Sequence, residues 1–340
     1  MKKLASALLA CTMLLGLSSG ASADPVTLKY ADQNAENSWG AERGMIPWMK
    51  KVEADSNGTI KFETYFNETL TKGAQAWMST RNGIADVAWN TMAVLPGKNQ
   101  LATAVTLPAL PAATPMEASR IAWKLYETQP TVAKPFDDVK ILALFMSDVD
   151  NLVTKKPVKS MEDLKGMKIR TIAGACVDML KALGAVPVVM PMPDVYMALQ
   201  KGTLDGVMAD WEPIQGFRFY EVAKYVTTNT PFSYSLFTLI MNKNKFNSLP
   251  AEAKAALEKN SGLEASASLS ENFAYSAREV AQPLKNEGKV EIYELPASER
   301  QRWIEVGGVP AWEKWVKDSE KKGFKNARTI LDLATGKTPF

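Results

Sequence analysis

The chain has 340 residues, 46% of them hydrophobic, with 40 Lys and Arg against 37 Asp and Glu and no histidine. That length allows two domains with cores of their own, and the composition excludes a disordered chain. Near-balanced charge leaves no footprint for nucleic acid, and the lack of histidine removes Ser-His-Asp or Cys-His centres and any His-containing metal site.

Residues 1–23 begin MKK, continue through an apolar run and end in Ala21-Ser22-Ala23, the pattern of a secretory leader cut before Asp24. A membrane anchor fits less well, because the apolar part is short and ends rich in Ser and Gly. Leu8-Leu9-Ala10-Cys11 loosely resembles a lipoprotein box, but a cut there would leave TMLLGL exposed. Losing Lys2 and Lys3 leaves 38 basic residues against 37 acidic, a net charge of +1. Cys11 departs with the leader, so Cys176 is alone and no internal disulfide is expected. Its apolar neighbours point to a buried thiol.

Val26–Tyr30 alternates as a strand and runs into a polar loop at Asp32-Gln33-Asn34, which reads either as a cleft loop or as an ordinary turn. Trp39–Ala54 has helical spacing, with Met45, Trp48, Met49 and Val52 on one face. Residues 60–66 alternate as a strand. A proline-rich, charge-poor run extends from Leu95 to Pro111. Pro115–Tyr126 is predicted helical, Lys140–Phe145 a buried strand, and Met146–Asn151 a first crossing between domains. From Met167, strand, helix, strand, helix and strand follow in turn: Met167–Arg170, Cys176–Leu183, 186–191, the face of Val195, Ala198 and Leu199, then Leu204–Met208. This order argues for an open sheet flanked by helices, which binds ligands beyond the carboxyl ends of its strands. Arg170 lies at one such end, where a guanidinium fork could take a carboxylate or sulfonate; alone, it reads as a surface arginine. Phe232–Met241 is predicted as a long apolar strand on the return crossing, with Tyr234 and Phe237 as cleft candidates. A helix from Pro250 through Ala281, weakest at Gly262, is long enough to lie along both halves. Val290–Leu295 is predicted as a short strand, and the tail as helical with Trp303, Trp312 and Trp315 packing.

One internal frame recurs. Met78, Gly83 and Asp86 share the spacing of Met197, Gly202 and Asp205, each time a helix ended by glycine with an aspartate before an apolar strand. A tryptophan follows each strand, Trp89 and Trp211, placed either to line a cleft or to pack a core. Two similar lobes face to face would produce such a repeat.

DLKGMKIRT and PMPDVYMALQKGTLDG, with SNGTIKFETYFNETLTKG and MNKNKFNSLPAEAKAAL, resemble the signatures of solute-binding proteins of tripartite ATP-independent periplasmic (TRAP) transporters, dicarboxylate-binding type. The resemblance implies an α/β, two-lobed periplasmic binding protein fold, with mixed sheets flanked by helices, hinge crossings and a long helix spanning both lobes. The expected division is a signal peptide at 1–23, lobe I from 24–147 plus 236–275, lobe II from 148–235 plus 276–310, and C-terminal helices at 311–340 packed on the lobes. It also implies that Arg170 binds the ligand's carboxylate. Trp211, Trp89, Asn90, Gln33, Asn34, Asp210 and Tyr234 are the further candidates for the cleft.

The sequence departs from the family at three places. Ala109 replaces an aromatic residue, Asp150 stands where several members carry a second ligand-contacting arginine, and Ala209 replaces an asparagine. An aspartate at 150 would repel a second acid group. The favoured ligand is therefore a small organic anion with one carboxylate and an apolar or aromatic body, ahead of a sulfonate or dicarboxylate. The expected role is a periplasmic, monomeric receptor that delivers its ligand to TRAP permease subunits, with no catalysis, cofactor or metal. The other readings are a secreted hydrolase using Asp148 and Asp150, and a sensor's ligand-binding partner.

Overall fold

A computed structural model describes residues 24–92 and 101–340. The leader and the start of the proline-rich run lie outside the described residues. Strands β1 (Val26–Ala31), β2 (Ile60–Tyr65), β3 (Val87–Thr91), β4 (Lys140–Met146) and β10 (Leu236–Met241) form one sheet, ordered β2-β1-β3-β10-β4. The second sheet contains β5 (Asn151–Thr154), β6 (Lys168–Thr171), β7 (Val186–Val189), β8 (Gly206–Ala209), β9 (Tyr225–Thr228) and β11 (Glu291–Glu294), ordered β11-β9-β5-β8-β6-β7.

The two sheets are wired alike. β1 runs parallel to β2 and β3, and β6 runs parallel to β7 and β8. Beside each trio lies an antiparallel strand, β10 against β3 and β5 against β8. The repeated sequence frame has a structural cause. Gly83 and Gly202 hold φ of +79° and +76°, which lets each helix stop and turn without a Cβ clash. Asp86 then accepts the Lys29 backbone N–H at 2.9 Å, and Asp205 accepts that of Lys168 at 2.8 Å. Each aspartate thus ties the start of its strand to the strand beside it.

Each sheet is covered on both faces, so each lobe carries two apolar clusters. The outer edge of β4 is capped rather than left open, since Ser266 accepts from the Leu144 backbone N–H and Ser119 from that of Met146. Ser266 belongs to a 25-residue helix, Gly262–Asn286, about 37 Å long at 1.5 Å per residue. The helix reaches from the first lobe to the second, where Val280 and Leu284 enter the core around β8 and β9. Two further crossings, 147–150 and 229–235, run side by side. Ser147 and Asp150 donate backbone N–H groups to the carbonyls of Ser235 and Ser233.

Three expectations need correction. The long helix does not begin at Pro250: Lys243–Ser248, Ala251–Lys259 and Gly262–Asn286 are separate helices. The last break falls at Gly262, with φ +86° and the Trp123 ring against the space a side chain would need. The return strand starts at Leu236, because residues 231–235 bond to the other crossing instead of a sheet. The apolar strand over 186–191 is only β7, an edge strand, and Val189 is 56% exposed. The C-terminal helices Val309–Lys321 and Ala327–Ala334 pack Trp315, Ile330 and Leu331 into a first-lobe core.

Candidate ligand-binding cleft

The carboxyl ends of both parallel trios face one cleft of about 640 Å³ between the lobes, a size suited to one small molecule. Arg170 lies near the end of β6 and lines the cleft. It points away from Ile169 as the alternation requires, yet it is only 4% exposed and is no surface arginine. Its Nε donates to the Met190 carbonyl just past β7, at 3.0 Å. Among the described residues no carboxylate comes within 4 Å of its guanidinium, so its terminal nitrogens remain free for a guest. Burial lowers its pKa to about 10, so the group stays charged at neutral pH.

Opposite stands an aromatic wall. Phe237 of β10 meets Trp89 of β3 at 4.8 Å between ring centroids, Phe145 of β4 at 5.6 Å and Phe273 of the long helix at 5.5 Å. All four residues line the cleft, with Phe145 fully buried in the wall. Gln33 and Asn34 line it too. Asn34 donates its backbone N–H and its side-chain amide to Asp32, at 2.9 and 3.0 Å. Gln33 lies against Gly73, filling the space a Cβ there would take.

Asp210 follows β8, lines the cleft and caps the Trp211–Gly216 helix by accepting from the Glu212 N–H at 2.9 Å. Asp32, Glu68, Asp150, Asp194 and Glu212 line the cleft as well. Burial raises Asp32 to about 6, partly offset by hydrogen bonds from Tyr30 and Asn34. Burial also raises Asp150 to about 7, against the pull of Arg170. Glu212 is raised to about 7 by burial, with the Gly40 backbone N–H opposing and Asp32 adding to the rise. Asp210 is raised well above the usual range, first by burial and then by Asp150 and Glu212.

Three candidates lie elsewhere. Trp211 is 5% exposed and packs with Val195, Leu199 and Ile214 in a second-lobe core, because the first turn after Asp210 directs it inward. Asn90 neighbours Trp89 on a strand, so period-two alternation turns it to the opposite face. There it is 1% exposed, with neither side-chain polar atom partnered. Tyr234 packs into a first-lobe core and donates its hydroxyl to the Ala112 carbonyl at 2.8 Å. Cys176 is buried as expected, with Sγ 3.1 Å from Ser233 Oγ. Nothing in the sequence pointed to Phe145 or Phe273, since β4 is buried on both faces and the long helix lies far along the chain. Asp150 was singled out as a departure from the family pattern and, with Asp148, as an acid of the hydrolase reading.

The sequence model of the bacterial extracellular solute-binding protein family 7 matches residues 34–318. The chain belongs to this family. It is a TRAP-type solute-binding receptor with a two-lobed fold of mixed sheets flanked by helices. A crystal structure of a TRAP solute-binding protein from Rhodoferax ferrireducens, in complex with copurified benzoate, is similar at TM-score 0.87 and 29% identity. The match covers 92% of this chain and 97% of that one. A marine-metagenome TRAP solute-binding protein specific for aromatic acid ligands, co-crystallised with 3-hydroxybenzoate, matches at TM-score 0.86 and 30% identity, over 92% and 98% of the two chains. Among named relatives, the C4-dicarboxylate-binding periplasmic protein DctP of Rhodobacter capsulatus is 28% identical over 90% of this chain and 91% of its own. No helix of the described residues is long and apolar enough to cross a membrane.

Proposed function

We propose that this receptor captures an aromatic monocarboxylate and hands it unchanged to TRAP permease subunits. The observation that carries the reading is one buried guanidinium facing four aromatic rings across a cleft of single-molecule size. Arg170 takes the carboxylate, while Trp89, Phe145, Phe237 and Phe273 take the ring by offset and edge contacts. The benzoate and 3-hydroxybenzoate held by the two similar structures support this class. A dicarboxylate fits less well. Its second acid would need another cation, and Lys72, which also lines the cleft, is paired to Glu68 at 2.9 Å. The nearer neighbour of Arg170 is the Asp150 carboxyl.

In this reading 24–147 with 236–275 and 148–235 with 276–310 swing as two lobes about the paired crossings, while the helices at 311–340 ride on them. Closure is driven by contacts the ligand makes with both lobes at once, Arg170 on one and the rings on the other. The protein works as a periplasmic monomer, released from its leader at residue 23, without cofactor or catalysis. Calorimetric titration with benzoate, 3-hydroxybenzoate, 3-phenylpropionate and succinate tests the ligand class. Binding of at least one aromatic acid more tightly than succinate is expected, with the acid recovered unaltered. Tight succinate binding with no aromatic acid bound contradicts the proposal.

A further inference from the structure

An acid with a bare hydrocarbon body would satisfy Arg170 and the rings but leave carboxyls in the same cleft without a partner. Asp150 is the telling one. It sits in the 147–150 crossing, is 6% exposed, and lines the cleft. It is the one carboxyl whose charge acts on Arg170, although it stays beyond ion-pair distance of that guanidinium. Among the described residues no side chain donates to its oxygens; the donor turned toward it is the Asp210 backbone N–H. Asp210 stands behind it, with Oδ1 engaged in capping its helix. Nor do the described acids form a metal-binding set, since no group of three or more has the necessary geometry.

Both carboxyls therefore line the cleft with a backbone N–H as donor and no side-chain donor, beside the point proposed for the ligand carboxylate. Burying a carboxyl whose acceptor sites are only partly met is costly, so a guest that supplies a further donor gains over a guest that does not. The ligand atom nearest to a carboxylate on Arg170 is its adjoining carbon, and the carboxyl whose charge reaches Arg170 is Asp150. Resting on the aromatic-acid reading above, we infer that the cleft selects aromatic acids bearing a hydroxyl or ammonium on the carbon next to the carboxylate, with Asp150 as acceptor of that donor and Asp210 in support. A hydroxyl leaves the occupied site with the charge of Asp150 to be met by a proton. An ammonium meets it directly.

The test compares three acids of one carbon skeleton by calorimetry: 3-phenylpropionate, 2-hydroxy-3-phenylpropanoate and phenylalanine, with benzoate as reference. At least one of the two 2-substituted acids should bind about tenfold or more tightly than 3-phenylpropionate, as one hydrogen bond to a charged group provides. Whichever of the two leads identifies the donor as hydroxyl or ammonium. In Asp150→Asn the advantage should fall below about threefold, and the wild-type series stands alone if that variant does not fold. Equal binding of all three acids, or a preference that survives Asp150→Asn, overturns the inference while leaving the aromatic-acid reading intact. Failure of every acid, benzoate included, removes both.

Discussion

Replacing Arg170 by alanine removes the charge proposed to receive the ligand and little else of the lobe. The Nε bond to the Met190 carbonyl is lost, at a cost of about 1 kcal/mol, partly returned because a buried cation no longer has to be desolvated. The two terminal nitrogens face the cleft, and each charge-assisted hydrogen bond to a carboxylate contributes about 1.5–3 kcal/mol. Losing both, and leaving the ligand's anion beside Asp150, gives a loss of about 3–5 kcal/mol, or roughly a hundredfold to a few thousandfold in Kd. Arg170→Lys keeps the charge but not the planar fork, and should fall between the two, about tenfold to a hundredfold weaker. Calorimetry with the tightest acid reads the affinity, and a thermal melt of the same samples reads the fold. An alanine variant that melts like the wild type and binds within about threefold of it would refute the reasoning.

Stability of the unliganded protein should rise as pH falls from about 7.5 to about 5. Asp32, Asp150 and Glu212 are raised to about 6, 7 and 7, mainly by burial. Between the ordinary carboxylate range and those values the folded chain holds more protons than the unfolded one. Unfolding free energy therefore falls as pH rises through that window, and Asp210, also raised by burial, acts in the same direction. Surface acids lowered by basic partners, such as Glu162 at about 2, lose their contribution only in stronger acid. A melting temperature equal or lower at the acid end, by calorimetry, contradicts this. Gly206→Ala should lower the melting temperature by several degrees, because a Cβ there would lie 2.6 Å from Thr154 Cγ2 and 2.7 Å from the Val153 carbonyl oxygen. An unchanged melt would show that β5 and β8 can separate freely. Cys176 should not react with a disulfide reagent in the native protein, since burial pushes its thiol up to about 12. Colour released within minutes, before any denaturant is added, goes against that burial.

How far the sequence reaches can be judged residue by residue. Strand alternation and glycine stops marked most of the strands of both trios, because period two and a positive φ are local properties, but not their order in the sheet. The frame of Met78, Gly83 and Asp86 repeated at Met197, Gly202 and Asp205 foretold that the two sheets share their wiring. Arg170 alone read as a surface arginine, and only the family resemblance pointed to it; the structure buries it and lines the cleft with it. Trp211 was not legible, because the turn after Asp210 decides which way the indole points, and that turn is built by packing on Val195 and Ile214. Asn90 misleads for a simpler reason: next to Trp89 in sequence means across the sheet from it in space. Phe145, Phe237 and Phe273 come from three distant segments and meet only because β4, β10 and the long helix pack together. Phe237 was a cleft candidate in its strand, but no pattern in their own segments marks Phe145 or Phe273 as a wall of the cleft. The acidity of the cleft was mostly hidden in the same way: Asp210 was a cleft candidate, but nothing in the sequence showed that burial would gather Asp32, Asp150 and Glu212 around it.

The most direct measurement is a crystal structure of the protein grown with the tightest acid found by titration. The account predicts closed lobes, the ligand carboxylate within hydrogen-bond distance of both terminal nitrogens of Arg170, and the ring against Trp89 and Phe237. An acid lodged outside the interlobe cleft, or held there with the Arg170 guanidinium turned away from it, contradicts the account.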